Sequence, residues 1–328
     1  MINEMINLTS LRKSGNFFLN FSPVLFNHFL VLVEVVHYPK TVSGGEAMQV
    51  IRKINEMQKI SKSLREEKKR IGFVPTMGYL HEGHLSLVRK AKDLCDSVVV
   101  SIFVNPTQFV PGEDYERYPR NEERDRALLD AAGVDFLFNP EVSEVYPSGY
   151  ETFVEVTEVS KGLCGDFRPG HFRGVATVVA KLFNMVNPHL AVFGEKDYQQ
   201  LRVIKKMVED LNFDIEIIPG ILVREEDGIA MSSRNAYLSP EDRRKATILY
   251  RSLTKGKESF ESGERRASAL FRTVKESIES VGEISIQYVE IRDAETLEKI
   301  EIVNGPAVIA IAAIVGSVRL IDNIILRR

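Results

Sequence analysis

Ile71-Gly72-Phe73-Val74-Pro75-Thr76, followed by Met77-Gly78-Tyr79-Leu80-His81-Glu82-Gly83-His84, is the stretch that decides the fold. Its first six residues are a short apolar run ended by Pro, which reads as a buried strand. Beyond it Leu85, Val88, Ala91 and Leu94 recur at helical intervals among Arg89, Lys90 and Lys92, the pattern of an amphipathic helix. The unit is strand, glycine-bearing turn, helix. Ser97-Val98-Val99-Val100-Ser101-Ile102-Phe103-Val104 then gives a nearly continuous β-branched run, as expected of a parallel strand covered on both faces.

The alternation continues outward with a helix over 121–132, a strand over 134–138, a helix over 175–187, a strand over 190–193, a helix over 198–211 and a strand over 214–218. Upstream, Val50, Ile51, Ile54, Met57, Ile60 and Leu64 follow one another at mostly three- and four-residue spacing, which predicts one surface helix over 48–69. Alternating strands and helices of these lengths imply an α/β fold, a doubly wound, Rossmann-like parallel sheet whose ligands lie beyond the carboxyl ends of the strands. After Arg224 the texture changes. Two amphipathic helices are expected over 240–263 and 264–281, then strands over 284–291, 307–314 and 318–325 around Gly316. This predicts a smaller C-terminal α+β domain with an antiparallel sheet, and divides the chain into 48–222 and 223–328.

The 328 residues are 44% hydrophobic and 27% charged, with 21 Gly and 13 Pro, so a disordered or collagen-like chain is excluded. At roughly 150 residues per domain this length suits about two domains, each able to bury a core. The net charge of -3 offers no general attraction to nucleic acid or anionic lipid, so any anion site is local. The two cysteines, Cys95 and Cys164, form no metal-binding spacing and fit a reducing, cytoplasmic setting as inert core thiols.

Residues 17–36 hold 14 apolar residues in 20, but Asn20, Pro23, Asn27, His28 and Glu34 interrupt them and no small-residue cleavage site follows, so neither a leader nor a membrane anchor is expected. Gly44-Gly45-Glu46 before Met48 are residues whose codons can spell a purine-rich ribosome-binding sequence. The expectation is that translation starts at Met48 and that residues 1–47 are an over-extended start outside the fold; peptides from before Met48 in the native protein would refute it.

Four polar clusters follow predicted strands. His81 and His84 flank Gly83 in a helix-opening turn, where free backbone N–H groups favour an anion and two imidazoles add donors. Gly78 would permit the turn, and Gly83 would let a ligand approach the backbone. A surface pair or two ligands of a zinc site are the other readings of these histidines. Met231-Ser232-Ser233-Arg234 offers two hydroxyls and a guanidinium suited to phosphate, or is a polar loop. Gly194-Glu195-Lys196-Asp197 places a lysine where phosphates would lie and a carboxylate that could meet a magnesium ion carried by them, or is a solvated helix cap. Asn105-Pro106-Thr107-Gln108-Phe109 supplies uncharged hydrogen-bonding groups for a polar small molecule, or is a turn. Taken together, the four describe a nucleoside-triphosphate site beside a polar pocket.

These segments, with Tyr118-Pro119-Arg120, Arg168-Pro169-Gly170-His171, Gly194 to Gln200, Val223 to Asn235 and Leu320-Ile321-Asp322-Asn323, resemble the pantothenate synthetase family, from about Met48 to the carboxyl end. His-x-Gly-His alone resembles the wider nucleotidylyltransferase superfamily, whereas the full set points to this one family. The resemblance implies ATP-dependent condensation of pantoate with β-alanine through a pantoyl adenylate, releasing pyrophosphate and AMP. It implies that Met77, Gly78, Tyr79, Leu80, His81, Glu82, Gly83 and His84 cradle ATP, with His84 the proton donor and His81 beside it. Gly194, Glu195, Lys196, Asp197, Val223, Met231, Ser232, Ser233 and Arg234 complete the nucleotide site, Lys196 being catalytic, and Gln108 and Gln200 hold pantoate, with Gln108 also lying where β-alanine enters. It further implies Mg2+ with the ATP, a homodimer and a cytoplasmic enzyme without nucleic-acid or membrane partners. Competing readings are a nucleotidylyltransferase that stops at a dinucleotide-like product, an aminoacyl-tRNA synthetase and a catalytically silent ATP-binding regulator.

Overall fold

The computed structural model describes residues 47–327, so the expectation about residues 1–47 lies, but for Ala47, outside the described residues. The chain runs β1 (Gln49–Ile51), α1 (Ile54–Glu66), β2 (Ile71–Thr76), α2 (Glu82–Leu94), β3 (Ser97–Ile102), α3 (Glu122–Ala131), β4 (Phe136–Phe138), α4 (Val142–Val145), α5 (Leu163–Phe167), α6 (His171–Val186), β5 (Leu190–Gly194), α7 (Tyr198–Asp210) and β6 (Glu216–Gly220). All six strands pair in parallel, in the order β1-β4-β3-β2-β5-β6. The chain leaves β2 towards one edge and returns at β5 on its other side, so the switch point, and with it the ligand crevice, lies at the carboxyl ends of β2 and β5.

Alternate strand residues point to opposite faces, and both faces are covered. Phe73, Val99 and Ala191 join Met57 and Leu64 of α1, Phe183 of α6 and Ile204 of α7 in one core. Val74, Val98, Val100 and Val192 join Leu87 and Val88 of α2 and Leu129 of α3 in another. Each of the larger side chains here, the Val, Leu, Ile, Met and Phe, contributes about 1.5–3 kcal/mol once buried. The remaining helices and strands, α8 (Pro240–Glu261), α9 (Ala267–Glu279), β7 (Ile284–Asp293), β8 (Ala307–Val315) and β9 (Val318–Leu326), form an antiparallel sheet in the order β7-β8-β9. Leu249, Leu253, Leu270 and Val274 pack both helices onto Ile309 and Ile311. The α/β doubly wound sheet and the smaller C-terminal antiparallel sheet expected from the sequence are thus both present.

The single helix expected over 48–69 is corrected. Gln49–Ile51 is an edge strand paired with Phe136–Phe138, tied by Gln49 N–H to the Asp135 carbonyl at 3.0 Å and Asn139 N–H to the Ile51 carbonyl at 2.8 Å. Over three residues an apolar pair fits either period, and the open edge of β4 supplies the partner that decides it. The helix expected from Val175 begins four residues earlier, at His171, because Gly170 takes a left-handed conformation that turns the chain into it. Among the described residues no helix is long and apolar enough to cross a membrane.

Candidate active site

At the end of β2 the chain enters a left-handed turn, Gly78 at φ +82° and Tyr79 at φ +50°. Asp125 of α3, 1% exposed, holds this turn by accepting the N–H groups of Tyr79 and Leu80 at 2.7 and 2.8 Å. The Leu80 side chain is wholly buried beneath the turn. Because those two amides are already paired, the backbone donors left for a ligand are those of Glu82 and Gly83, first in α2 and without intrahelical acceptors.

The His81 N–H donates to Nδ1 of His84 at 3.3 Å, and the two rings lie 4.0 Å apart between centroids. Burial, reinforced by the Lys196 charge, pushes His81 down to about 4. Burial, then its neighbours His81 and Lys196, holds His84 well below the ordinary imidazole range. Both rings are neutral at pH 7 while the site holds no anion. The Nδ1 atom of His81 is buried without a hydrogen-bond partner, an uncommon state for a polar atom in a folded protein. A Cβ on Gly83 would lie 2.9 Å from the His81 ring. Gly83 therefore makes room for that imidazole, where the sequence suggested room for a ligand.

Met231 to Arg234 come from the chain between β6 and α8. The Met231 N–H donates to the Val223 carbonyl at 3.0 Å, and Ser233 Oγ donates to the Tyr79 carbonyl at 3.2 Å, which fastens this segment to the histidine turn. Arg234 is held by Asp114 through Nε and Nη2 at 2.9 and 2.7 Å, leaving Nη1 for a ligand. Lys196 at the end of β5 lies 3.6 Å from Asp197. Burial raises the Asp197 carboxyl, but Lys196 and Arg234 outweigh it and hold the group below the usual range.

Met77, His81, His84, Gln108, Lys196, Asp197, Gln200, Met231, Ser232, Ser233 and Arg234 all line one cleft of about 1070 Å³. Its apolar wall is Val175, Val178, Val179 and Leu182 of α6 with Phe193 of β5. An adjoining space of about 930 Å³ against the C-terminal sheet shares Lys196, Asp197, Gln200 and Arg234. Gly78, Tyr79, Leu80, Glu82, Gly83, Gly194, Glu195 and Val223 are absent from both linings. Of these, Glu195 contributes through its backbone, its carbonyl and that of Lys196 each accepting from Asn323 Nδ2 at 2.9 Å, while the Glu82 side chain pairs with Arg89.

Asn105, expected within the 105–109 cluster, lines the cleft, whereas sequence reasoning gave no individual role to Tyr118, Arg168 and His171, which also line it, or to Asp125 and Asn323, which brace it. Of these, Tyr118, Arg168, His171 and Asn323 carried a signal only as parts of the resemblance, in the runs 118–120, 168–171 and 320–323, and Asp125 carried none. The zinc reading of the histidine pair finds no support, since among the described residues no group of three metal-binding side chains converges. A magnesium ion that arrives on a triphosphate needs only one or two protein carboxylates, and Asp197 at the cleft fits that use.

Comparison with known proteins agrees with this geometry. The sequence model of the family described as pantoate-beta-alanine ligase matches residues 49–325. The chain is 58% identical over 279 residues to a pantothenate synthetase of Thermotoga petrophila, covering 85% of this chain and 100% of that one. It is 55% identical over 278 residues to one of Caldicellulosiruptor bescii, covering 85% and 99%. The crystal structure of pantothenate synthetase from Thermus thermophilus superimposes with a TM-score of 0.80 at 48% identity, covering 84% of this chain and 99% of that one. That of the Francisella tularensis pantoate-beta-alanine ligase, complexed with beta-gamma ATP and beta-alanine, does so with a TM-score of 0.71 at 38% identity over 85% and 97%. A parallel sheet with its crevice at the β2/β5 switch, a histidine pair and a serine-arginine segment lining one cleft, and these matches along nearly the whole described chain lead to one conclusion: the chain belongs to the pantoate-beta-alanine ligase family.

Proposed function

We propose that the single cleft runs both halves of an ATP-dependent ligation of pantoate to β-alanine. In the first half a carboxylate oxygen of pantoate attacks the α-phosphorus of ATP, and the bond to pyrophosphate breaks. In the second the β-alanine amine attacks the acyl carbon, AMP leaves and the amine proton is lost to solvent or to a base. A carboxylate resists an amine because it is anionic and its oxygen leaves poorly; the acyl phosphate removes both obstacles.

In this reading His81, His84 and Lys196 carry the charge that develops on the phosphates, with the amides of Glu82 and Gly83 at the helix end. Ser232, Ser233 and the free Nη1 of Arg234 grip the outer phosphates, Val223 lies at the adenine side, and Gly194 and Met231 complete the nucleotide site. Asp197 takes part in holding the magnesium that neutralises the triphosphate. Gln108 and Gln200 hold pantoate against the valines of α6. The neutral state of His84 makes it a hydrogen-bond donor through Nε2 at rest; the proton-donor role implied by the resemblance requires that arriving phosphates raise its affinity for a proton, as negative charge does. Residues 223–328 act as the smaller domain and close over the nucleotide, shielding the adenylate from water. A homodimer in the cytoplasm completes the proposal.

The observation that supports it is the convergence on one cleft of segments from residues 77 to 234. The deciding experiment is exchange of labelled pyrophosphate into ATP. Exchange should depend on pantoate, with AMP released only after β-alanine is added. Exchange without any β-alanine-dependent AMP would favour a nucleotidylyltransferase, and no exchange at all a silent nucleotide binder. Structures with and without ATP test closure: an unchanged angle between the two sheets and an unchanged 231–235 segment would remove it.

A further inference from the structure

Arg168 lies between α5 and α6 and lines the cleft, where a cation invites reading as a phosphate ligand. Its hydrogen bonds exclude that use. Nε and Nη2 hold the Glu113 carboxylate at 2.5 and 2.7 Å, and Nη2 also reaches the Gln108 carbonyl at 3.4 Å. Nη1 donates to Nε2 of His171 at 3.0 Å and lies 3.9 Å from Sγ of Cys164. A guanidinium has five N–H groups, and each of these has an acceptor.

His171 is fixed just as fully. A carbonyl only accepts, so Nδ1 carries the proton and donates to the Gln108 carbonyl at 2.7 Å, while Nε2 accepts from Arg168. Burial pushes this imidazole down to about 4, consistent with a neutral ring that accepts at one nitrogen and donates at the other. Both donors end on Gln108. The Gln108 side chain is in turn held by Asn105 Nδ2 at 3.0 Å and lies with Nε2 3.1 Å from Sδ of Met77. The same Asn105 amide reaches the Gly174 carbonyl at 3.2 Å. A Cβ on Gly174 would sit 2.2 Å from the Thr107 carbonyl oxygen, so the 105–108 turn lies directly on the first turns of α6.

We propose that Arg168 and His171 are positioning residues for pantoate: they clamp the 105–108 turn onto α6 so that the Gln108 amide is presented to the acid, and Arg168 gives nothing to the triphosphate. This rests on the reading of Gln108 as a pantoate ligand. Within that reading it divides the cations lining the cleft into phosphate ligands, Lys196 and Arg234, and a saturated hub, Arg168.

The test is a double-mutant cycle on the full chain, reading KM for pantoate and for ATP separately. Gln108→Ala examines the underlying reading, and His171→Phe removes both ring nitrogens while keeping the ring's bulk. His171→Phe should raise KM for pantoate on the order of tenfold and leave KM for ATP within about twofold. The double variant should bind pantoate no worse than Gln108→Ala alone. Arg168→Lys, which keeps a charge for Glu113 but loses the fork, should repeat the pantoate effect and covers the case in which His171→Phe fails to fold. An equal rise in KM for ATP, or additive losses in the double variant, would overturn the hub. An unaltered pantoate KM in Gln108→Ala would instead overturn the Gln108 reading, and with it the hub's target.

Discussion

The N–H of His81 donates to Nδ1 of His84 at 3.3 Å, so a neutral His84 carries its proton on Nε2. The turn thus builds a donor whose orientation is fixed by the residue three positions before it. His84→Ala is expected to lower kcat on the order of a hundredfold or more while leaving the melting temperature nearly unchanged. His84→Gln separates the two kinds of donation: an amide can supply a hydrogen bond but not an exchangeable acid, so partial recovery marks a hydrogen-bond role and none marks proton transfer. Normal turnover in the alanine variant would remove His84 from the mechanism.

Gly83→Ala should separate stability from activity. An alanine in the first turn of α2 gains up to about 1 kcal/mol in helix propensity, yet its Cβ would lie 2.9 Å from the His81 ring and must displace it. The expected result is a chain that melts no lower than the parent and turns over much more slowly. Unchanged kcat would mean that the orientation of His81 is irrelevant.

Histidines 81 and 171 predict a loss of stability in acid. Both have pKa values lowered to about 4 by burial, against 6.5 in the unfolded chain. Below pH 6.5 the unfolded state binds protons that the folded state refuses, so stability is complete above that point and declines as pH falls towards 4. The decline at pH 5 is on the order of 2 kcal/mol for each histidine. Urea midpoints at pH 7 and pH 5 measure it, and His81→Asn should reduce the difference. A midpoint that rises on acidification contradicts the assignment.

Asn323 on β9 holds both carbonyls of the lysine turn, at 2.9 Å to Glu195 and 2.9 Å to Lys196. Asn323→Ala leaves these acceptors without that donor and is expected to cost about 1–3 kcal/mol of stability. It should also lower kcat, because the Lys196 backbone is no longer pinned. Full activity in a destabilised variant would show that Lys196 finds its place without this strand.

Much of the fold was legible because its signals are local. The β-branched run of β3, the helical spacing of Leu85, Val88 and Ala91, and the alternation along Ile284–Ile291 each reflect a face that must be buried, and burial acts on neighbours in sequence. Gln49–Ile51 was misread because three residues are too few to distinguish one period from another. Only the edge of Phe136–Phe138, 87 residues away by the register of Gln49 and Phe136, made them a strand.

The sequence by itself determined which residue types gather at the crevice: paired imidazoles, a lysine, two serines and an arginine, each in a segment that follows a strand of the parallel sheet. Tertiary structure alone decided which of them remain free to act. Arg168 and Arg234 are the same residue type beside the same cleft, but Arg168 is saturated by Glu113, His171 and Gln108, whereas Arg234 keeps Nη1. The Tyr79 and Leu80 amides are likewise taken by Asp125, 46 and 45 positions away. Hydrogen-bonding capacity belongs to a side chain, but whether it is already occupied depends on partners that the chain brings near only by folding.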